Sequence, residues 1–148
     1  MSLLAAPLTI ITARDQAGRP WGFTASSVTS ASLDPPLVLV GLAHTSSCFT
    51  ALTKASEFAI NILGSDQSAL ARRFATSGTD RFAGARTQNW PDSLLPHLTE
   101  APVVIRCGMA NRITVGDHDL LVGELIGMRR QGEPKPLLWY RREFHSID

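Results

Sequence analysis

The sequence predicts a mainly β protein: a small antiparallel barrel of six or seven strands with two short flanking helices. Three observations predict it. Short β-branched and apolar runs recur along the 148 residues, clusters of Gly, Pro and Asp separate them, and only two segments carry apolar residues at helical spacing. The length fits one domain over residues 1–148, with enough chain to bury a core.

Leu8 to Thr12 reads as the first strand. Asp15-Gln16-Ala17-Gly18 is a turn, and Trp21 to Thr24 returns as the hairpin partner. Pro35 and Pro36 lack amide donors and set the start of the next strand. That strand, Leu37 to Leu42, is continuously apolar, as expected where both faces are covered. Cys48 to Lys54 has helical spacing, with Thr45 or Ser46 as N-cap. Glu57 to Leu63 is strand-like apart from the polar Asn61, and Ser65 to Ala75 is helical with Ser65 as cap.

Residues 76–97 carry Gly78, Gly84, Pro91 and Pro96 and read as an ordered surface excursion that covers a site. Pro102 to Val115 alternates Val103, Ile105, Cys107 and Met109 on one face. It pairs through the Gly116-Asp117-His118 turn with Asp119 to Arg130, which Gly123 and Gly127 bend. Pro136 to Ile147 supplies one last strand.

Composition excludes several functions. The net charge of +1 provides no field for nucleic acid or a membrane surface. Cys48 and Cys107 lack metal-ligand spacing, as do the four histidines, so no zinc site or disulfide framework is expected. The apolar start has no basic residue before Arg14 and is broken by Pro7, which argues against a signal peptide and for a cytoplasmic protein. GxGxxG, Walker, GxSxG and HExxH motifs are absent.

The most informative stretch is GFTASSVTSASLDPPLVLV, residues 22–40. Thr24, Ser26, Ser27, Thr29 and Ser30 lie within seven positions, too many hydroxyls for an apolar core. They serve either as turn residues bonding their own backbone or as donors lining a site for an acceptor-rich ligand.

With AHTSS at 43–47, FAINIL at 58–63, DRF at 80–82, GDHDLLVGEL at 116–125 and PLLWYRREF at 136–144, this stretch resembles the flavin reductase domain family. These are the small reductase partners of two-component flavin monooxygenases. The resemblance implies an FMN-binding split β-barrel of Greek-key topology, a homodimer with flavin near the subunit interface. It further implies hydride transfer from NADH or NADPH to FMN (or FAD, or riboflavin) and delivery of reduced flavin to a partner oxygenase. Such chemistry needs no acid, base or metal from the protein, in keeping with the missing triad.

By the same resemblance Thr24, Ala25, Ser26, Ser27, Val28 and Thr29 lie along the flavin. Ser46 and Ser47 take the phosphate, at a helix N-terminus on the reading above. Arg81 and Phe82 flank the flavin, Arg81 adding charge near the phosphate. His118 positions the nicotinamide. Trp139, Tyr140 and Arg141 border the dinucleotide pocket or act as barrel and interface aromatics. Two departures from the family pattern stand out: MSLLAAP stands in place of the usual leading helix, which bears on the dimer edge, and the residues around His44 differ from the usual basic or polar residue before Thr45-Ser46-Ser47. A non-catalytic flavin carrier or sensor on the same barrel is the alternative. A pyridoxamine-phosphate-oxidase-like enzyme fits residues 22–36 poorly.

Overall fold

The computed structural model describes residues 1–147. Seven strands form the main sheet: β2 (Thr9–Arg14), β3 (Pro20–Ala25), β4 (Val28–Leu33), β5 (Pro36–Ala43), β6 (Glu57–Ile62), β9 (Val103–Val115) and β10 (His118–Arg130). A second sheet holds β1 (Ala6–Pro7), β11 (Leu137–Tyr140) and β12 (Glu143–Ser146). β7 (Thr87–Asn89) and β8 (Pro96–Leu98) pair apart from both, and the helices are α1 (Phe49–Lys54) and α2 (Ser68–Ala75).

The main sheet is antiparallel throughout, in the order β3-β2-β6-β9-β10-β5-β4. Its two outermost strands, β3 and β4, are consecutive in the chain and joined only by Ser26 and Ser27. Flat, seven strands would hold the outer pair about 29 Å apart. The link from Ala25 to Val28 reaches at most about 11 Å. The sheet therefore rolls until its edges meet, which is consistent with a split barrel.

Strand alternation divides the core. Ile11, Phe58, Ile60, Val40, Leu42 and Cys107 fill the inside of the roll, while Ile10, Ala59, Val104, Phe74 and Leu137 pack outside it. β2 and β6 are thus covered on both faces. β5 is not: only Val40 and Leu42 are buried, and Leu37, Val38 and Leu39 remain half-exposed, contrary to the expectation of cover on both sides. β10 bends where expected, with register shifts at Val122/Gly123 and Leu125/Gly127. A Cβ at Gly123 would lie 2.6 Å from the Phe58 ring, so the bend gives that ring its space.

Other expectations are corrected. α1 begins after Cys48, and α2 begins after Gln67 instead of a Ser65 cap; neither has a side-chain cap. The last strand is a hairpin, β11–β12, turned by Arg141 and Arg142 at φ 53° and 63°. Two arginines carry no turn signature, since left-handed φ favours Gly and Asn.

Within the excursion, residues 87–98 fold back over β2 and β6. The buried Asn61 explains how: its amide donates to the Ile10 carbonyl (2.8 Å) and Thr12 Oγ1 (3.1 Å), and its oxygen accepts the Leu98 N–H (2.8 Å). Thr12 Oγ1 donates in turn to the Pro96 carbonyl (2.6 Å). Glu57 accepts from Ser93 and from Arg106, 2.9 and 2.7 Å to the arginine. Among the described residues no helix is long and apolar enough to cross a membrane, and no His, Cys, Asp and Glu group could hold a metal ion.

His97, in β8, is buried edge-on to Trp90 with ring centroids 5.8 Å apart. Burial, then the nearby Arg129 charge, lowers its pKa below the ordinary 6.5. The unfolded chain therefore takes up a proton that the folded chain resists: this stability is full above about pH 6.5 and lost as the pH falls through the folded pKa. The Tm of the wild type should drop more steeply from about pH 7 to about pH 5 than that of His97→Phe. Parallel curves would remove His97 from the acid response.

Candidate functional site

The seam between β3 and β4 opens into a cavity of about 330 Å³. Thr24, Ala25, Ser26 and Ser27 form one wall, Gly41, Ala43, Thr45, Ser46 and Ser47 a second, and Phe74, Ala75, Ser77 and Arg81 a third. His118 closes the end, opposite Ala43 in the β5–β10 ladder. Gly41 makes the close approach possible: a Cβ there would stand 2.9 Å from Ser27 Cβ and 3.8 Å from His118 Cδ2. The Ser27 carbonyl accepts the Gly41 N–H at 2.8 Å, latching the seam.

The cavity thus joins eight residues read from the sequence: Thr24, Ala25, Ser26, Ser27, Ser46, Ser47, Arg81 and His118. Thr24 spends its hydroxyl proton on the Ala71 carbonyl (2.6 Å), tying the wall to α2. Val28 packs against the barrel interior and Thr29 is exposed, so neither lines this cavity. Phe82 faces the adjoining cleft and meets Phe74 edge to face at 5.1 Å. Trp139 lines a smaller apolar pocket that shares Thr24 and Ser26, and sits edge-on to Phe144 at 5.1 Å. Tyr140 packs with His145, beneath the Arg141 guanidinium.

Ser46 and Ser47 belong to the turn before α1, not to the helix terminus the spacing suggests. Ser46 Oγ accepts the Cys48 N–H at 3.1 Å. Among the described residues the Ser26, Ser27 and Ser47 amides and the Ser26 and Ser27 hydroxyls have no hydrogen-bond partner, while the Ser47 hydroxyl lies against the Cys48 thiol. Arg81 is held by backbone oxygens, Nε on Thr76 (3.1 Å) and Nη1 on Gly22 (2.9 Å). No carboxylate of the described residues pairs with it, and none lines the cavity. Donors without partners around one uncompensated guanidinium fit a ligand rich in acceptors that ends in an anion. Cys48 lies beneath, its thiol donating to the Gly22 carbonyl at 3.4 Å, and burial raises its pKa so that it stays protonated.

His118 Nδ1 lies 2.7 Å from Asp117, which leaves Nε2 for a ligand. The same hydrogen bond lowers the Asp117 pKa. Behind the turn, the buried Asp119 binds His44 Nε2 (2.8 Å), Thr114 Oγ1 (3.1 Å) and Arg112 (3.3 Å). The His44 hydrogen bond is the main cause of its lowered pKa. His44 also rests edge-on against Phe49, and its N–H donates to the Asp117 carbonyl at 2.9 Å. The Ser46–Ser47 loop and the His118 turn are therefore one connected unit. Sequence reasoning missed Gly41, Thr45, Ser77 and Asp119; only Asp119, a carboxylate beside an apolar run, left a signal.

Comparison with known proteins agrees with this geometry. A family model described as the flavin reductase like domain matches residues 1–148. The NADH:riboflavin 5'-phosphate oxidoreductase of Streptomyces pristinaespiralis is 53% identical over 148 residues, 99% of this chain and 84% of that protein. The reductase component of a 4-nitrophenol 4-monooxygenase/4-nitrocatechol 2-monooxygenase from Rhodococcus opacus is 39% identical over 140 residues, 95% of this chain and 74% of that protein. Among solved structures, the NADH:FAD oxidoreductase SgcE6 of Streptomyces globisporus C-1027, in complex with NAD and FAD fragments, superposes with a TM-score of 0.92 at 28% identity, covering 99% of this chain and 88% of that one. A match that runs the length of the chain, around a donor-lined seam of the kind described, makes this protein a member of the flavin reductase like domain family.

Proposed function

We propose that the protein is a single-domain NADH-dependent flavin reductase that binds FMN in the seam cavity and supplies reduced flavin to a partner oxygenase. The observation that carries this reading is the donor set: unpartnered Ser amides and hydroxyls around one uncompensated guanidinium, with no carboxylate among the described lining residues. The printed names of the Streptomyces and Rhodococcus relatives support the donor and the oxygenase connection.

Bound flavin supplies the hydride-accepting chemistry and the nicotinamide supplies the hydride. The chain's own residues hold and orient. Ser26 and Ser27 offer amides to the carbonyl edge of the ring, Ser46, Ser47 and Arg81 hold the phosphate, and His118, steadied by Asp117, orients the nicotinamide. Ile113 and Val115 stand exposed at the turn end of the β9–β10 hairpin and Ile126 and Met128 at its far end, two apolar spots that support a homodimer. Two free, buried thiols fit a reducing cytoplasm.

Mixing the purified protein with FMN and then NADH without oxygen should bleach the oxidised flavin band within seconds. A perturbed spectrum that never bleaches would favour a carrier or sensor instead. Ser47→Asp sets a like charge against the phosphate and should weaken FMN by about 10- to 100-fold, about 1.4–2.8 kcal/mol, with riboflavin changed less than about threefold. Equal losses for both ligands would remove the phosphate from this loop. His118→Ala should slow flavin reduction or raise the NADH KM about tenfold while FMN affinity changes less than about threefold. Unchanged kinetics would leave His118 a turn residue.

A further inference from the structure

The two ends of the seam cavity are built by different parts of the chain. The Thr45-Ser46-Ser47 loop follows β5, and His118 begins β10. The β5–β10 ladder ends on the pair Ala43 and His118, which brings loop and turn side by side. His44 is the next residue beyond that last pair, immediately before the loop.

His44 grips the turn at two points. Its backbone N–H donates to the Asp117 carbonyl at 2.9 Å, and its ring Nε2 lies 2.8 Å from Asp119 Oδ1. Asp117 and Asp119 are the residues on either side of His118. One hydrogen bond would let the turn pivot; a bond on each side fixes the direction of His118. The other side-chain partners of Asp119, Thr114 Oγ1 and Arg112, belong to β9 and stay within the hairpin. Among the described residues His44 carries the only side-chain hydrogen bond that crosses from loop to turn. Its ring also sits edge-on to Phe49, at the start of α1, with centroids 5.3 Å apart.

His44 itself lines no part of the cavity, so its bridge serves neither ligand directly. It makes the loop and the turn move together. A phosphate held on Ser46 and Ser47 orders the loop and, through His44, residues 117–119. The nicotinamide then meets a turn that is already ordered. Resting on the flavin-reductase reading, we propose that His44 is a positioning residue that couples the flavin phosphate to the nicotinamide through its bond to Asp119. Linkage makes the effect reciprocal, each ligand tightening the other.

Contact between the nicotinamide and the flavin ring also couples the two ligands, but equally for FMN and riboflavin, which share the ring. The route through the loop is open only to FMN. The Kd of oxidised FMN and of riboflavin, each measured by flavin fluorescence with and without saturating NAD, separates the two routes without turnover. In the wild type NAD should tighten FMN about fivefold more than it tightens riboflavin. His44→Phe keeps an aromatic ring against Phe49 and leaves Asp119 its bonds to Thr114 and Arg112. It should close that gap to less than about 1.5-fold, with the FMN Kd in the absence of NAD changed less than about threefold. The unchanged Kd also reports that the variant is folded. His44→Gln, which keeps a donor N–H, should restore the gap. Equal effects of NAD on both flavins in the wild type, or a gap that survives in His44→Phe, would overturn the coupling and leave the reductase reading standing. Equal weakening of FMN, riboflavin and NAD in His44→Phe would also overturn it, by making His44 merely structural. Failure of NADH to bleach bound FMN would overturn the reductase reading and the coupling with it.

Discussion

The rest of this molecule depends on a two-residue link. Ser26 and Ser27 join strands that stand at opposite ends of a seven-stranded sheet. The chain between them is too short for any flat or gently twisted sheet to satisfy. The sheet must close, and the place where it closes has no ladder between its edges. At an ordinary barrel seam, strand amides pair; here the Ser26 and Ser27 amides have no partner among the described residues. The same constraint that shapes the barrel therefore creates the donors that line the cavity.

Two buried polar nodes hold the surroundings in place. Asn61 and Thr12 bind the backbone of residues 96–98, so the excursion seals the outer face of β2 and β6 with every polar atom of the node engaged. Asp119 gathers His44, Thr114 and Arg112, linking the loop that carries Ser46 and Ser47 to the turn that carries His118. A carboxylate this buried is tolerable only with such partners. Both nodes trade a desolvation cost for a defined geometry on which the cavity walls rest.

Charge around the cavity is sparse, and that sparseness matters. Arg81 is anchored by carbonyl oxygens, which leaves its charge uncompensated, unlike Arg106, which Glu57 neutralises. Arg19, over Trp21, differs in having the Asp15 carboxylate close enough to feel its charge. Nothing in the described lining of the seam cavity besides His118 is suited to move a proton, so the protein's part there is to bind and orient.

The sequence by itself determined the class of the fold and most of one wall of the site. Alternation and turn chemistry located the long β9–β10 hairpin and its glycine bends, because these are local properties of strands. Hydroxyls too dense for a core marked residues 24–27. It did not determine where helices begin: the Ser65 cap and the Ser46 cap are legible patterns, yet tertiary packing starts α2 at Ser68 and α1 at Phe49. Nor could it show that Arg141 and Arg142 turn a hairpin, since left-handed arginines are held there by the pairing of β11 with β1 and β12. Only the tertiary structure decided that Val28 and Thr29 leave the cavity while Gly41 and Ser77 line it and Asp119 braces its walls from behind. Membership of a cavity depends on residues far apart in the chain meeting across a closed sheet, and the local pattern of any one segment carries no record of that meeting.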